Sequence, residues 1–381
     1  MAYPQSIMPK FLWKHVFNYL SYTDLTKAIT TNSAFTKLID ESNWRRSFLH
    51  DRTDAIVVVK CDTKTMDGFW YHAIQTYVAH SDLDDLFRCM ENDIANATKF
   101  IYYKIFVKAG KYLFNKYSDR YVFNNKPCSI EINGSKLGTE IDNEYYHHYL
   151  RMVVSKFFQI KHVKFGNISY FLYKRDFMKY IYDSNNDSDD DFIAMHDHFE
   201  LFISDCIFEN GALSIESINK STIANCKFNG VGITVHNTDK DTKIVTRMMN
   251  LGLSNNIECN VSHSVFSIRH GCISAGIKIF YEHVRLPVCY CTINFINNTV
   301  INANYMFSNF SPGYHEYVTF MARSNAISNT NKCVRYASNV TFKYNHFNNI
   351  SLLYDEYSTN VIVDNTNIFA DCSSEFMEQI I

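Results

Sequence analysis

Short apolar segments recur in the second half of the chain at steps of about 20 residues. The segment 203–211, Ile-Ser-Asp-Cys-Ile-Phe-Glu-Asn-Gly, recurs at 223–230 as Ile-Ala-Asn-Cys-Lys-Phe-Asn-Gly. Apolar triplets start at Val318, Val340 and Val361, and the pattern Asn-x-apolar-x-Asn starts at Asn298, Asn325 and Asn345. A period of about 20 to 25 residues, built from short strands without helices between them, is typical of a solenoid.

The abundance of asparagine indicates how the coils of such a solenoid would turn. A coil of parallel β-helix holds three short strands and three bends, and its inward side chains stack on those of the next coil. Asparagine tolerates a positive φ at a bend, and stacked amides can hydrogen-bond along the stack. Because the chain holds only 12 glycines, asparagine is the residue expected at the bends. The repeat signatures of leucine-rich repeats and of propeller blades are absent.

The strand pattern begins near residue 99 and continues almost to the end of the chain. Residues 100–107 and 128–134 are rich in β-branched and aromatic residues, as strands are. We therefore predict parallel β-helix repeats over 99–372. Residues 373–381 are predicted to form a C-terminal cap, since the last coil of a solenoid exposes strand edges. The acidic run 183–191 is predicted to be a solvated loop between coils.

The first fifty residues show helical spacing instead. Their leading apolar residues recur at intervals of three and four: Phe11, Leu12, Val16, Phe17 and Leu20. We predict a module of short helices over 1–50. Amphipathic patterns at 66–78 and 83–90 predict a helical bridge over 51–98.

The N-terminal segment resembles the F-box motif in the order and spacing of its residues. The resemblance is carried by Met8-Pro9, Leu12-Trp13, Val16-Phe17, Tyr19-Leu20, Asp24-Leu25, Ala28, Phe35, Ile39-Asp40 and the closing Trp44-Arg45. The family usually opens with Leu-Pro, where this chain has Met-Pro. The resemblance implies docking on a Skp1-like protein and, through it, on a cullin–RING ubiquitin ligase. The residues expected to contact that partner are Pro9, Leu12, Val16, Phe17, Leu20, Leu25 and Trp44.

The remainder of the chain resembles the right-handed β-helix of pectin-lyase-like proteins. Residues 105–112 are similar to the opening strand and turn of that fold. An F-box joined to such repeats, in a chain rich in Asn, Tyr, Phe and Ile, resembles F-box proteins of large DNA viruses. The implied fold class is α+β multidomain: a small all-α F-box-like N-terminal module, then an all-β right-handed parallel β-helix. The implied function is that of a non-catalytic adaptor whose β-helix binds the target for ubiquitylation.

Other functions stay open on the sequence alone. Sugar-cleaving β-helix enzymes gather carboxylates on one outer face. The tripeptides 237–239 (Asn-Thr-Asp) and 269–271 (Arg-His-Gly) resemble segments of polygalacturonases, but the paired Asp-Asp and the Arg-x-Lys of that family are not found at fitting positions. A carbohydrate-binding protein is a further alternative. A structural attachment protein, like β-helical fibres, would form a stable trimer. The helices of 1–50 would also suit a plain cap on the solenoid.

The net charge and the spacing of the cysteines indicate which ligands and partners are not expected. The formal net charge of −2 gives no electrostatic footprint for nucleic acid, and 46% apolar residues exclude global disorder. The 11 cysteines are irregularly spaced without a CxxC pair, which predicts free buried thiols, no metal and no cofactor. The sequence holds no apolar run long enough for a membrane-spanning helix. We expect a cytoplasmic protein, in the host cell if the chain is viral.

Overall fold

The computed structural model describes most of the second half of the chain and parts of the first half. The described residues are 10–31, 35, 38–39, 43, 56–61, 78–80, 83–98, 100–114, 120–123, 128–143, 148–166, 168–173, 199–239, 256–279, 290–309 and 317–380. Pro9, Trp44 and the acidic run 183–191 lie outside these residues. The predicted helix over 66–78 also lies outside them except for Val78, which begins the strand Val78–His80. None of the described helices combines the length and apolarity that crossing a membrane requires.

The described elements are mostly short strands. The helices are α1 (Lys10–Phe17), α2 (Tyr22–Thr31), α3 (Leu83–Ala95) and α4 (Ser374–Glu378). The strands of the first half are β1 (Ile56–Cys61), β2 (Val78–His80), β3 (Ile101–Val107), β4 (Gly110–Phe114), β5 (Arg120–Val122), β6 (Cys128–Gly134), β7 (Thr139–Asn143), β8 (His148–Val153), β9 (Phe157–Lys161), β10 (Val163–Phe165) and β11 (Ile168–Tyr173).

The strands of the second half continue the same series. They are β12 (Glu200–Ser204), β13 (Ile207–Glu209), β14 (Ala212–Glu216), β15 (Lys220–Ala224), β16 (Lys227–Asn229), β17 (Ile233–Asp239), β18 (Ile257–Ser262), β19 (Val265–Ser267), β20 (Gly271–Ile279), β21 (Cys291–Ile296), β22 (Thr299–Ile301), β23 (Tyr305–Asn309), β24 (Val318–Arg323), β25 (Ala326–Arg335), β26 (Ser338–Lys343), β27 (His346–Tyr354), β28 (Thr359–Val363) and β29 (Ile368–Ala370).

From β3 onward these strands stack in parallel on three faces. The first face runs β3-β6-β9-β12-β15-β18-β21-β24-β26-β28. The second runs β4-β7-β10-β13-β16-β19-β22 and continues through the first parts of β25 and β27 to β29. The third runs β5-β8-β11-β14-β17-β20-β23 and ends on the last parts of β25 and β27. The described chain is thus mostly parallel β-sheet with few short helices, which is compatible with a β-helix.

The core consists of apolar side chains in register from coil to coil. On the first face, Ile203 of β12 pairs with Ile223 of β15, so the 20-residue step seen in the sequence is one coil. On the second face, four buried phenylalanine rings follow one another at centroid distances of 4.9, 5.0 and 4.6 Å: Phe165, Phe208, Phe228 and Phe266. Stacked rings in contact across strands are among the most favourable cross-strand pairs. The rows therefore hold each coil on the next.

Asparagine fills two different positions at the bend between the first and second faces. Asn225 and Asn297 turn the chain with φ of 55°, a conformation that asparagine tolerates better than most residues. The next residue points inward instead. At that position buried side chains form a hydrogen-bonded ladder in successive coils: Asn298, Asn325, Asn345 and Asn367. Both predicted roles of asparagine are therefore present.

The two ends of the stack are covered differently. At the C-terminal end α4 lies against the last coil, with Phe376 fully buried, as the predicted cap requires. At the N-terminal end β1 pairs antiparallel with β3, and α3 packs Phe87 against Tyr121 at 5.1 Å. The segment predicted as a helical bridge thus contains two strands, β1 and β2, as well as a helix. The run Ile56-Val-Val-Val is β-branched and extends the first face beyond β3, with β2 as the edge strand.

In the described part of residues 1–50, the regular elements of eight residues or more are the helices α1 and α2. An all-α module over the whole of 1–50 stays a prediction. Ser21 begins α2, since its Oγ accepts from the backbone N–H of Asp24 at 3.1 Å. The side chain of Asn43 donates to Asn18 Oδ1 at 2.8 Å and ties the following segment to the end of α1.

Candidate functional site

The N-terminal helices bury one set of aromatic and apolar side chains among themselves. The ring of Trp13 lies 5.8 Å from that of Phe17 and 4.9 Å from that of Phe35. Phe17 and Leu25 have almost no exposed surface. This small core accounts for only part of the apolar surface of α1.

Other apolar side chains of α1 and of the turn that follows it remain exposed. Four of them form what we call the α1 ridge: Phe11 (69% exposed), Leu12 (40%) and Val16 (38%) on the helix, and Tyr19 (73%) in the turn. Leu12, Val16 and Tyr19 follow i, i+4, i+7 spacing, so they lie along one side of the helix and its closing turn. Single exposed apolar residues are ordinary, but a continuous row on a short helix is typical of a surface that meets another chain.

The seven residues expected to contact a Skp1-like partner occupy different environments. Leu12 and Val16 are exposed on the α1 ridge, Leu20 is half-buried, and Phe17 and Leu25 are buried. Pro9 and Trp44 lie outside the described residues. A contact between any of these residues and a partner stays a prediction. Two ridge residues, Phe11 and Tyr19, were not among the seven, although the helical spacing of Phe11 was visible.

A second candidate site lies at the C-terminal end of the third face. It is an open groove of about 680 Å³, where β23, β25 and β27 meet the loop after β27. Side chains of both charges and several tyrosines line it, among them Tyr305, Lys332, Arg335, Tyr336, Asp355 and Tyr357. Sequence reasoning did not find this groove, because its residues belong to three coils.

The arginine of the groove is held between two aromatic rings. The guanidinium carbon of Arg335 lies 5.3 Å from the ring centre of Tyr305 and 5.0 Å from that of Tyr336. A third tyrosine joins this cluster: the ring of Tyr357 stacks on that of Tyr336, with the ring centres 5.0 Å apart. Cation–π contact and stacking together restrict the rotamers of all four side chains.

The backbone around the groove is fixed by a carboxylate. Tyr336 has a φ of 53°, which is uncommon for an aromatic residue and directs the chain into the next coil. Its backbone N–H donates to Asp355 Oδ1 at 3.1 Å, and Ser358 Oγ donates to the same oxygen at 2.7 Å. The neighbouring carboxylate of Glu356, as an acceptor for the Tyr357 hydroxyl, raises the pKa of Tyr357. An uncommon backbone conformation persists when its surroundings fix it in this way.

A glycine makes room for one wall of the groove. Gly271 pairs with Tyr305 across β20 and β23, and a Cβ at position 271 would lie 1.8 Å from the tyrosine ring. Residues 269–271 were noted for their resemblance to a polygalacturonase segment. Here Gly271 has a packing role, since any side chain would displace Tyr305.

Three further kinds of group could carry chemistry: the carboxylate of Asp239, clustered metal ligands and the cysteine thiols. Asp239 ends β17, with its backbone opposite Ile279, and its side chain lies outside the described residues. Within the described part of the chain, no three His, Cys, Asp or Glu side chains gather as metal ligands would. Burial raises the pKa of Cys128 and Cys259 to about 12, so these thiols are poor nucleophiles near neutral pH.

Comparison of the chain with protein-family models, with curated proteins and with solved structures found no match. The functional assignment therefore depends on the two sites themselves.

Proposed function

We propose that this chain is a substrate-recognition adaptor. Helix α1 docks on a Skp1-like partner, and the parallel stack of strands β3 to β29, here called the β-stack, binds the target. In this account the N-terminal helices are an F-box, the partner is a Skp1-like protein of a cullin–RING ubiquitin ligase, and the β-stack is a right-handed β-helix. The chain supplies proximity and no catalytic group.

The α1 ridge is the observation that carries the proposal. Leu12 and Val16 keep more than a third of their surface exposed, whereas Phe17 and Leu25 are buried. An amphipathic helix with an uncovered apolar side is the element that helix-in-groove recognition uses. The order of F-box-like residues in the sequence supports the choice of partner.

The β-stack is suited to holding a bound target because it is stiff. Apolar side chains are buried in register and buried amides join the later coils, so a bound target would be held at a fixed distance from the docking helices. A ligase needs such a distance, because the target's lysines must reach the activated ubiquitin.

Co-purification from cells tests the proposal. The double variant Leu12→Asp/Val16→Asp places two charges on the α1 ridge without touching the buried Phe17. The matched control is Leu137→Asp, which makes the same substitution at a leucine that is 91% exposed in the β-stack. We expect wild type and control to retain the Skp1-like protein and the double variant to lose it.

Two results would overturn the proposal. The first is the absence of the Skp1-like protein from wild-type material, and the second is its equal recovery with the double variant. Circular dichroism of each variant separates loss of docking from loss of folding.

A further inference from the structure

The groove on the third face holds two cations, Lys332 and Arg335, beside two carboxylates, Asp355 and Glu356. Lys332 and Arg335 line it, and neither forms an ion pair with any residue that the structure describes. Two cations of the second face differ: Lys111 pairs with Asp142 at 2.6 Å, and Lys164 pairs with two glutamates at 3.1 and 3.0 Å. The charges of Lys111 and Lys164 are thus balanced within the fold, whereas Lys332 and Arg335 can pair with a ligand.

Among the described residues, the carboxylates at the rim of the groove form no ion pair with its cations. Asp355 instead accepts from the backbone N–H of Tyr336 and from Ser358 Oγ. Lys332 and Arg335 can therefore pair with a carboxylate of a ligand.

The geometry of Arg335 selects for a planar acceptor. Its guanidinium carbon lies 5.3 Å from the ring centre of Tyr305 and 5.0 Å from that of Tyr336, and these two contacts restrict its position. A guanidinium edge binds a carboxylate with two parallel hydrogen bonds. Lys332, three residues before it on β25, adds a flexible second cation.

Two exposed amides of the groove suit an extended peptide backbone. Asn331 Nδ2 donates to Asn304 Oδ1 at 3.1 Å. Each of these exposed amides has a second polar atom: Asn304 Nδ2 can donate a hydrogen bond, and Asn331 Oδ1 can accept one. An extended peptide backbone needs one donor and one acceptor of this kind.

We propose that this groove binds an extended acidic peptide segment. An Asp or Glu carboxylate of the segment lies on Arg335 and Lys332, and its backbone follows Asn304 and Asn331. As the target-binding site of an adaptor, the groove rests on the function proposed above. The peptide binding itself needs neither the α1 ridge nor a Skp1-like protein, so the two proposals can fail separately.

Fluorescence anisotropy with the full chain tests the groove directly. The probe is a short labelled peptide that alternates Glu and Thr, and its neutral counterpart alternates Gln and Thr. The variant is Lys332→Gln/Arg335→Gln. The matched control is Arg323→Gln, because Arg323 also lies over a tyrosine ring, that of Tyr344 at 5.4 Å, but outside the groove.

The acidic peptide should bind wild type and Arg323→Gln equally, and the double variant at least about tenfold more weakly, or about 1.4 kcal/mol. Added salt should weaken the binding, as it screens exposed charges. Equal binding of the neutral peptide, or equal affinity of the double variant, would overturn the assignment. Preference for an oligogalacturonate over the acidic peptide would overturn it as well, in favour of a sugar-acid ligand. The neutral-peptide comparison uses wild-type protein only, so it stands even if the double variant folds poorly.

Discussion

Asn345 Oδ1 accepts two hydrogen bonds from Asn325 in the preceding coil, one from its backbone N–H at 2.9 Å and one from its side-chain Nδ2 at 2.8 Å. The amide nitrogen of Asn345 in turn donates to the carbonyl of Ala322 at 3.0 Å. Each buried amide thereby satisfies backbone groups that the bend removes from the sheet. A side chain at this position replaces the missing rung of the parallel ladder.

Removal of one rung should destabilise the stack strongly. Asn345→Ala leaves the backbone N–H of Asn325 and the carbonyl of Ala322 buried without partners, each at a cost of about 1 to 3 kcal/mol. We expect the urea midpoint to fall by an amount equivalent to about 2 to 4 kcal/mol. Asn331→Ala, which removes an exposed amide pair, should cost less than about 1 kcal/mol. Equal effects of the two substitutions would show that the buried ladder has no special role.

The phenylalanine row makes a second stability prediction. Phe228 is fully buried between Phe208 and Phe266, with interplanar angles of 2° and 7°. Phe228→Ala should cost about 3 to 5 kcal/mol, since the close-packed row cannot collapse around the cavity. Thermal unfolding measures the loss, and Phe228→Leu should recover most of the stability. A cost below about 1 kcal/mol would contradict the packing described here.

The buried thiols predict a loss of stability at high pH. Burial raises the pKa of Cys128 and Cys259 to about 12 in the folded chain, against about 8.5 in an unfolded one. The free energy of unfolding that these buried, neutral thiols contribute is therefore fully present below about pH 8.5 and is lost as the pH rises toward 12. The melting temperature should fall between pH 8 and pH 10.5, and the fall should be smaller in Cys259→Ala. A pH-independent melting temperature in this range would contradict the prediction.

The C-terminal cap predicts a change in solution size. Phe376 of α4 covers Phe347 and Phe369 at 5.6 and 5.8 Å. Phe376→Asp should detach the helix and expose the edge of the last coil, which favours association between copies. Light scattering should show larger species for Phe376→Asp than for Met377→Asp, an exposed position on the same helix. Equal, unchanged sizes would show that the edge needs no cover.

The sequence predicted the parts of the fold that one coil determines. The recurrence of apolar segments about every 20 residues and the Asn-x-apolar-x-Asn pattern both describe a single coil. Because the same coil is repeated along the chain, the stacking of coils could be predicted from the repetition. The triplets starting at Val318 and Val340 were matched two residues out of register, because Phe320 pairs with Val340. A one-dimensional pattern does not distinguish such slips when both registers place apolar residues inward.

The groove could not be predicted in the same way. Tyr305 and Arg335 meet because two coils of unequal length are stacked, and the space for the ring depends on Gly271 in a third coil. The clustering of tyrosines with Arg335 was the available signal, but a tyrosine-rich chain makes that signal common. The strand β1 was missed because the surrounding segment 51–98 shows helical periodicity.

The most direct test of the adaptor proposal is a titration of the purified full chain with a purified Skp1-like protein. The account predicts saturable binding by wild type and by Leu137→Asp, and at least about tenfold weaker binding by Leu12→Asp. Binding that is absent in wild type, or equally strong in Leu12→Asp, would contradict it.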